Sequence, residues 1–216
     1  MNTPKPTRPL AMHPLTAALL AGVLLAPLSA CTTTSSSRPG QRIDEIDPGI
    51  AYKNRQRSAA REQYQRATEL AAKGKDEEAL EAYRATLELD DEHYAAWNNM
   101  GQLLMEQNNY ADAVAAFQIA AGIEPTDPRP VYNTGLAYQR VGWAADAYAS
   151  YEKALARDPN YIPAMRGMVR SAEMLGSGST QLLDIIKQAQ LRERDEQWRD
   201  YFRQQQARVK QLLDNR

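Results

Sequence analysis

Few side chains in this 216-residue sequence could perform catalytic or metal chemistry. It has one cysteine, Cys31, and two histidines, His13 and His93. One thiol can form neither an internal disulfide nor the usual cysteine-based zinc framework. The acidic residues 90–92 beside His93 could suggest a metal site, but such a run is more often a solvated turn. No nucleotide-binding loop, zinc-protease motif or serine-hydrolase motif occurs, so we expect no enzyme, no cofactor and no metal.

The surroundings of Cys31 are more informative than its thiol. The first nine residues carry two bases and no acid, and residues 11–30 are rich in Leu and Ala. A basic start, an apolar middle and small residues before a break are typical of a secretory signal. A membrane-spanning helix is the alternative. Pro14 and Pro27 shorten the apolar core to about 12 residues, however, and a spanning helix needs more.

The apolar run ends in Leu28-Ser29-Ala30-Cys31. This sequence resembles the lipobox of bacterial lipoproteins, in which an aliphatic residue and two small residues precede a cysteine. The resemblance implies that residues 1–30 are removed, that the Cys31 sulfur receives a diacylglyceryl group, and that the new amine is acylated. The alternative is an ordinary cleaved signal and a free thiol. Because the motif follows an apolar run and contains the only cysteine of the sequence, we expect lipidation at Cys31. Several acyl chains would hold the protein stably on a membrane.

Residues 31–49 would then be the lipidated cysteine and a flexible tether, because Thr, Ser, Pro and Gly dominate after Cys31. In enteric lipoproteins an aspartate after the cysteine retains the protein at the inner membrane. Thr32 stands there instead, so the resemblance favours the outer membrane, facing the periplasm. Without residues 1–30 the chain keeps 24 bases and 27 acids, a net charge of −3. This balance gives no reason to expect nucleic acid as a partner.

Two stretches of the chain match each other when one is displaced by 34 residues, residues 94–127 and residues 128–161. A looser copy occupies residues 60–93, and a degenerate fourth copy begins at Ile162 and loses the pattern in the sequence SGST. The two full copies share the pairs Gly101 and Gly135, Ala113 and Ala147, Phe117 and Tyr151, Ala120 and Ala154, and Pro125 and Pro159.

This pattern resembles the tetratricopeptide repeat, a helix-turn-helix unit of about 34 residues. The resemblance implies an all-α superhelix of three to four repeats within residues 50–179, since one helix pair cannot bury its apolar face alone. The glycines would let the first helix of a pair approach its neighbour closely. Residues 180–216 have a helical apolar pattern and are predicted to be a C-terminal capping helix. A partner or dimer helix is the alternative, and the oligomeric state stays open.

The first helix of each pair lines the concave face of such a superhelix. In peptide-binding members of the family, an asparagine at position six of a repeat holds the peptide backbone. Asn99 and Asn133 occupy that position, and an amide offers both a donor and an acceptor. Hydrogen bonding between repeats is the alternative. Gln65 and Gly167 at position six of the first and fourth repeats depart from the chaperone-type carboxylate clamp.

Four arginines at groove positions could face a carboxylate or an acidic segment, or they could be solvated surface. The residues predicted to form the peptide-binding groove are Asn98, Asn99, Gln102, Arg129, Tyr132, Asn133, Arg140, Arg166 and Arg170.

Together these features predict a membrane-anchored periplasmic scaffold or adaptor. It would bind envelope proteins in the concave groove, through peptide segments or helices of the partner. The architecture is similar to that of tetratricopeptide lipoproteins that include pilotins of type IV pilus secretins, accessory lipoproteins of tight-adherence pili and adaptors for peptidoglycan hydrolases. No residue selects one of these. The alternative is a homo-oligomer that acts through its C-terminal helix.

Overall fold

The computed structural model describes residues 47–215, and within them the chain forms helices and no strands. The signal segment, Cys31 and most of the tether lie outside the described residues. None of the described helices is both long and apolar enough to cross a membrane. The helices are α1 (Pro48–Ala72), α2 (Asp76–Leu89), α3 (Tyr94–Glu106), α4 (Tyr110–Ile123), α5 (Arg129–Arg140), α6 (Ala144–Arg157), α7 (Ile162–Met174), α8 (Thr180–Arg192) and α9 (Glu196–Asp214).

The turn inside each helix pair contains a residue with positive φ. These residues are Gly74 (70°), Asn108 (61°), Gly142 (81°) and Gly176 (61°), spaced 34 residues apart. Each lies two residues after the last residue of α1, α3, α5 or α7. A left-handed residue at this place ends a helix, and Gly and Asn adopt that conformation at low cost. The spacing makes α7 and α8 a fourth pair of the same series.

The fourth pair departs from the others directly after this turn. Helices α2, α4 and α6 begin two residues after the positive-φ residue, whereas α8 begins at Thr180, four residues after Gly176. Ser179 caps α8, because its hydroxyl oxygen accepts a hydrogen bond from the backbone N–H of Leu182 at 3.0 Å. The two extra residues explain why the repeat pattern of the sequence is lost in SGST.

Aromatic rings pack directly against the backbone of glycine residues in neighbouring helices. A Cβ atom at Gly101 would lie 2.7 Å from the ring of Phe117, and one at Gly135 would lie 2.7 Å from Tyr151. A Cβ atom at Gly167 would lie only 2.4 Å from the same Tyr151 ring. Phe117 and Tyr151 are fully buried. The expected close approach at Gly101 and Gly135 is therefore confirmed.

The N-terminal boundary of the folded part differs slightly from the predicted one. Helix α1 begins at Pro48, inside the segment 31–49 that we assigned to the tether. The Asp47 carboxylate accepts a hydrogen bond from the backbone N–H of Gly49 at 2.7 Å and caps the helix. Pro48 occupies the first helical position, where a missing N–H costs nothing.

The predicted single helix over residues 180–216 is two helices, α8 and α9. The chain leaves α8 at Glu193, whose carboxylate accepts hydrogen bonds from the backbone N–H groups of Arg194 (2.9 Å) and Asp195 (3.0 Å). Asp195 then caps α9 by accepting from the backbone N–H of Trp198 at 3.1 Å. Helix α9 begins 34 residues after α7, as the first helix of a fifth pair would.

Candidate peptide-binding groove

The asparagines predicted to hold a peptide are engaged between neighbouring repeats. The Asn133 side-chain amide donates to Asn98 Oδ1 at 3.1 Å, and the Asn99 amide donates to the Tyr64 hydroxyl at 3.1 Å. Asn98 and Asn133 are only 7% and 6% exposed. For this buried pair the structure therefore favours hydrogen bonding between repeats, the alternative interpretation, over contact with a peptide.

Arg129 is held at the junction of the second and third repeats. Its guanidinium forms an ion pair with Asp127 at 2.6 Å and lies over the ring of Tyr94, 5.8 Å from the centroid. The Tyr94 hydroxyl donates to the same carboxylate at 2.7 Å. Burial alone would raise the pKa of Asp127, but the hydrogen bonds from Arg129 and Tyr94 lower it to about 2. The charge of Arg129 is thus already balanced.

Two other predicted groove residues, Tyr132 and Gln102, are uncharged. Tyr132 is half-buried against the rings of Tyr151 (5.7 Å between centroids) and Tyr161 (5.4 Å), and burial raises the pKa of its hydroxyl. Its ring therefore belongs to the wall of the core. Gln102 is exposed on α3.

Arg166 is occupied by the C-terminal helices. Its guanidinium pairs with Glu193 at 2.7 Å and lies 4.6 Å from the centroid of the Trp198 ring. The Glu193 side chain is 4% exposed. Burial alone would raise the pKa of Glu193, but hydrogen bonds from Arg166 and from the backbone N–H groups of Asp195 and Arg194 lower it. This charge-assisted contact removes Arg166 from the set available to a ligand.

Helix α9 makes further contacts along the exposed side of α7. The Tyr201 hydroxyl and the Gln205 amide each donate to the Glu173 carboxylate at 2.7 Å. Arg170 lies 5.5 Å from the centroid of the Trp198 ring and is exposed. The groove prediction missed these α9 residues. A 34-residue spacing from Ile162 to Glu196 was the signal that could have found them.

One cleft, on the face formed by the first helix of each pair, contains two arginines that form no ion pair with any described residue. It lies between α5 and α7, has a volume of about 450 Å³, and includes both Arg140 and Arg170. Among the described residues neither guanidinium has a carboxylate partner, and Arg140 makes no hydrogen bond. The remaining lining residues are Leu136, Gln139, Glu173 and Met174.

The polar groups of this cleft are held in place by the fold. Gln139 accepts a hydrogen bond from the buried Tyr151 hydroxyl at 3.1 Å, and both oxygens of Glu173 accept from α9. The cleft therefore presents two guanidinium groups without carboxylate partners, that of Arg140 and that of Arg170, which lies over Trp198, beside apolar side chains and the Glu173 carboxylate. A second cleft of about 270 Å³ extends from Arg170 along α9 and is lined by Gln197, Trp198 and Tyr201.

The cluster around His93 has a structural use. The His93 Nδ1 atom accepts a hydrogen bond from the backbone N–H of Ala96 at 3.2 Å, so the imidazole caps α3. Within residues 47–215 no three His, Cys, Asp or Glu side chains come together in a way that could hold a metal ion.

Comparisons with known proteins identify the repeats. Models of the tetratricopeptide repeat match residues 64–128 and residues 129–161. Superkiller complex protein 3 of Homo sapiens is 23% identical over 95 residues, which is 44% of this chain and 6% of that protein. The probable UDP-N-acetylglucosamine–peptide N-acetylglucosaminyltransferase SPINDLY of Solanum lycopersicum is 33% identical over 95 residues, 44% of this chain and 10% of that protein. The match thus spans a small part of both relatives.

Solved structures agree on the fold. The first tetratricopeptide domain of Spaghetti (RPAP3), bound to the HSP90 peptide SRMEEVD, superposes with a TM-score of 0.53 at 18% identity, over 56% of this chain and 96% of that one. MamA from Desulfovibrio magneticus RS-1 gives 0.56 at 21% identity, over 63% and 77%. Residues 64–161 are therefore tetratricopeptide repeats, and the described chain has the all-α repeat fold that its sequence predicted.

Proposed function

We propose that this protein is a non-catalytic scaffold that binds an acidic segment of a partner protein in the cleft between Arg140 and Arg170. Tetratricopeptide domains generally mediate protein–protein interaction. The observation that carries the proposal is the pair of guanidinium groups in one cleft, neither with a carboxylate partner among the described residues. A guanidinium can bind a carboxylate through two parallel hydrogen bonds, which makes a peptide acid a suitable ligand.

The walls of the cleft suit a peptide with mixed side chains. Leu136 and Met174 line it beside the two arginines, so an apolar residue between acids would find a contact of its own. The RPAP3 domain, which has the same fold, is bound to the peptide SRMEEVD, in which acids adjoin apolar residues. Because Arg129 and Arg166 are neutralised within the chain, the ligand site is narrower than the groove predicted from sequence.

The proposal includes a lipid anchor at Cys31 that holds the protein on the bacterial outer membrane, facing the periplasm. Its support is the sequence Leu28-Ser29-Ala30-Cys31 after an apolar run, with Thr32 following. An anchor raises the local concentration of the scaffold near other envelope proteins, which strengthens weak binding to them. Partners in pilus assembly, secretion or cell-wall maintenance fit this setting.

The homo-oligomer alternative receives less support. It requires a C-terminal helix with an apolar face open to a second copy. In α9 the apolar residues Phe202 and Val209 are fully buried within the chain. The contacts of Trp198 with Arg166 and of Tyr201 with Glu173 likewise direct α9 to α7.

Fluorescence anisotropy with two labelled peptides tests the cleft. The probes are EELEEL and the matched QQLQQL, each titrated with the purified full-length chain. We expect EELEEL to bind and QQLQQL to bind at least tenfold more weakly. Arg140→Gln and Arg170→Gln should each weaken EELEEL binding by about tenfold, the effect of losing one charged hydrogen bond. Arg84→Gln, an exposed arginine on α2, is the control and should change nothing.

Equal binding of the two peptides, or full binding to both cleft variants, would refute the site. The anchor is tested separately by fractionating cells. The wild-type chain is expected in the membrane fraction and Cys31→Ser in the soluble fraction. Wild-type and Cys31→Ser chains that fractionate alike would refute the anchor without affecting the cleft.

A further inference from the structure

The residue before the second helix of each pair has a partner three residues later in the first two repeats. In the first repeat, the Lys75 ammonium pairs with the Glu78 carboxylate at 2.9 Å. In the second, the Asn109 amide donates to the Asp112 carboxylate at 2.7 Å. The acid at this place therefore has a local donor in both repeats.

The third repeat keeps the acid and lacks the donor. Trp143 stands at the position of Lys75 and Asn109, and Asp146 stands at the position of the acids. The Asp146 carboxylate has no hydrogen bond or ion pair with any described residue, and the Trp143 side chain makes no capping bond. The indole is 59% exposed. A free carboxylate thus adjoins an exposed aromatic ring.

Trp143 lines two clefts. On one side the indole stacks on Tyr138, with 5.9 Å between ring centroids and 27° between planes, and both rings line a cleft of about 470 Å³. The other cleft, of about 540 Å³, is lined by Trp143 but not by Tyr138. Asp146 is its one charged lining residue; the others are Gly142, Ala144, Ala145, Met174 and Leu175.

The fold does not require a tryptophan at position 143. Asparagine and lysine serve at the equivalent positions, and asparagine is a good residue before a helix. Met174 and Leu175, on the same cleft, are also 54% and 46% exposed. Adjacent exposed apolar side chains of this size mark interaction surfaces.

We propose that the cleft between Trp143 and Leu175 binds a lysine or arginine side chain of a partner protein. The cation would lie over the indole and against the Asp146 carboxylate, where Lys75 places an ammonium in the first repeat. Tryptophan is the best aromatic partner for a cation. Met174 and Leu175 would contact the aliphatic stem of the basic side chain.

This site is independent of the Arg140–Arg170 cleft and has the opposite charge preference. It rests on the comparison of three equivalent turns, and the acidic-ligand proposal rests on unpaired guanidinium groups. The two clefts share Met174, so one partner could contact both with neighbouring basic and acidic residues.

Fluorine NMR of the full-length chain labelled with 5-fluorotryptophan tests the proposal. The sequence has three tryptophans, Trp97, Trp143 and Trp198, and Trp143→Asn assigns the middle one by removing its signal. The probes are the peptide acetyl-Leu-Ala-Arg-Ala-Leu-amide and its counterpart with norleucine in place of arginine. We expect the arginine probe to shift the Trp143 signal saturably and to leave the other two in place.

Matched variants separate the charge from the apolar contact. Asp146→Asn should weaken binding of the arginine probe by about three- to tenfold, the size of a partly exposed ion pair with a stacked cation. Asp112→Asn, the equivalent acid whose donor is internal, should bind the probe as the wild type does. Trp143→Asn should lose binding yet stay folded, because Asn109 serves at the same position; the lost stacking on Tyr138 should lower the unfolding temperature only slightly.

Arg140→Gln should also keep arginine-probe binding, which distinguishes this site from the acidic-ligand cleft. Equal shifts with the arginine and norleucine probes would overturn the proposal, since the site would then be apolar only. Undiminished binding to Asp146→Asn, or the absence of any saturable shift, would overturn it as well.

Discussion

The first helices of neighbouring repeats are joined by two kinds of contact. Between the first three repeats, beside the Arg129–Asp127 ion pair, side-chain amides make neutral contacts: Asn99 donates to Tyr64, and Asn133 donates to Asn98. Each bond links position six of one repeat to position five of the repeat before it. These bonds carry no net charge, so they are little affected by salt.

At the C-terminal end the contacts are charged. Arg166 of α7 pairs with Glu193, and the Glu173 carboxylate accepts from Tyr201 and Gln205 of α9. Position six of the fourth repeat is Gly167, so it has no amide to donate. Position six therefore links neighbouring repeats where it is asparagine. Where it is glycine, in the fourth repeat, the Arg166–Glu193 ion pair makes the connection instead. We call the first contact the neutral joint and the second the charged joint. Because Arg166 is bound in the charged joint, it is not available to a ligand.

The largest expected effect comes from making the fourth repeat like the others. Gly167→Asn restores the amide at position six, but its Cβ atom would meet the Tyr151 ring at 2.4 Å. The ring is fully buried and cannot move aside. We expect a loss of about 3 kcal/mol in the free energy of unfolding, measured by urea denaturation.

Gly122→Ala is the control for this substitution. Gly122 lies in α4, and a Cβ atom there would have nothing within 4 Å. The free energy of unfolding of Gly122→Ala should be unchanged or slightly raised, because alanine favours a helix more than glycine does. If Gly167→Asn unfolded at the wild-type urea concentration, the glycine would have no packing role.

An intermediate effect is expected at the charged joint. Glu193→Gln keeps the shape of the side chain but removes the charge that Arg166 faces in a nearly buried site. We expect a loss of about 2 kcal/mol, together with faster amide hydrogen exchange in α9. Asp184→Asn removes an exposed ion pair with Lys187 and should cost at most about 0.5 kcal/mol. Equal losses in the free energy of unfolding for Glu193→Gln and Asp184→Asn would show that the Arg166–Glu193 pair contributes no more than an exposed ion pair.

The same joint should make stability depend on pH. The pKa of Glu193 is lower in the folded chain than its ordinary value of 4.5. Its contribution is therefore complete above pH 4.5 and is lost as the pH falls through the folded pKa. Asp127, with a folded pKa of about 2 against 3.8, adds a second loss of stability as the pH falls below 3.8. In urea denaturation at several pH values, Glu193→Gln should reduce the pH dependence and leave the part that Asp127 contributes.

The smallest expected effect lies at the neutral joint. Asn133→Ala leaves the buried Asn98 Oδ1 without its 3.1 Å donor, which should cost about 1 kcal/mol. The loss should be the same at pH 4 and pH 7, because neither amide titrates. Gln102→Ala, on the exposed face of α3, is the control and should stay within about 0.5 kcal/mol of wild type. A loss that differs between the two pH values would contradict the neutral joint.

The repeat fold could be predicted from sequence because its determinants are local and periodic. Ala113 and Phe117, chosen by their 34-residue spacing, are fully buried. The turn residues Gly74, Asn108, Gly142 and Gly176 show the same period in the sequence and would have revealed the fourth pair. The break after Arg192 was missed because Glu193 and Asp195 cap through their side chains, which an apolar pattern does not register.

The site depended on tertiary structure to a greater degree. The sequence placed Asn98, Asn133 and Arg166 on the face of the first helices, and repeat spacing alone is enough for that. Only the packed chain decided that the two amides bond to each other and that the turn between α8 and α9 brings Glu193 to Arg166. Helical periodicity determines which side of a helix a residue is on. Which polar group it meets there depends on the position of a neighbouring helix about 30 residues away in the sequence, and the repeat pattern does not specify that position.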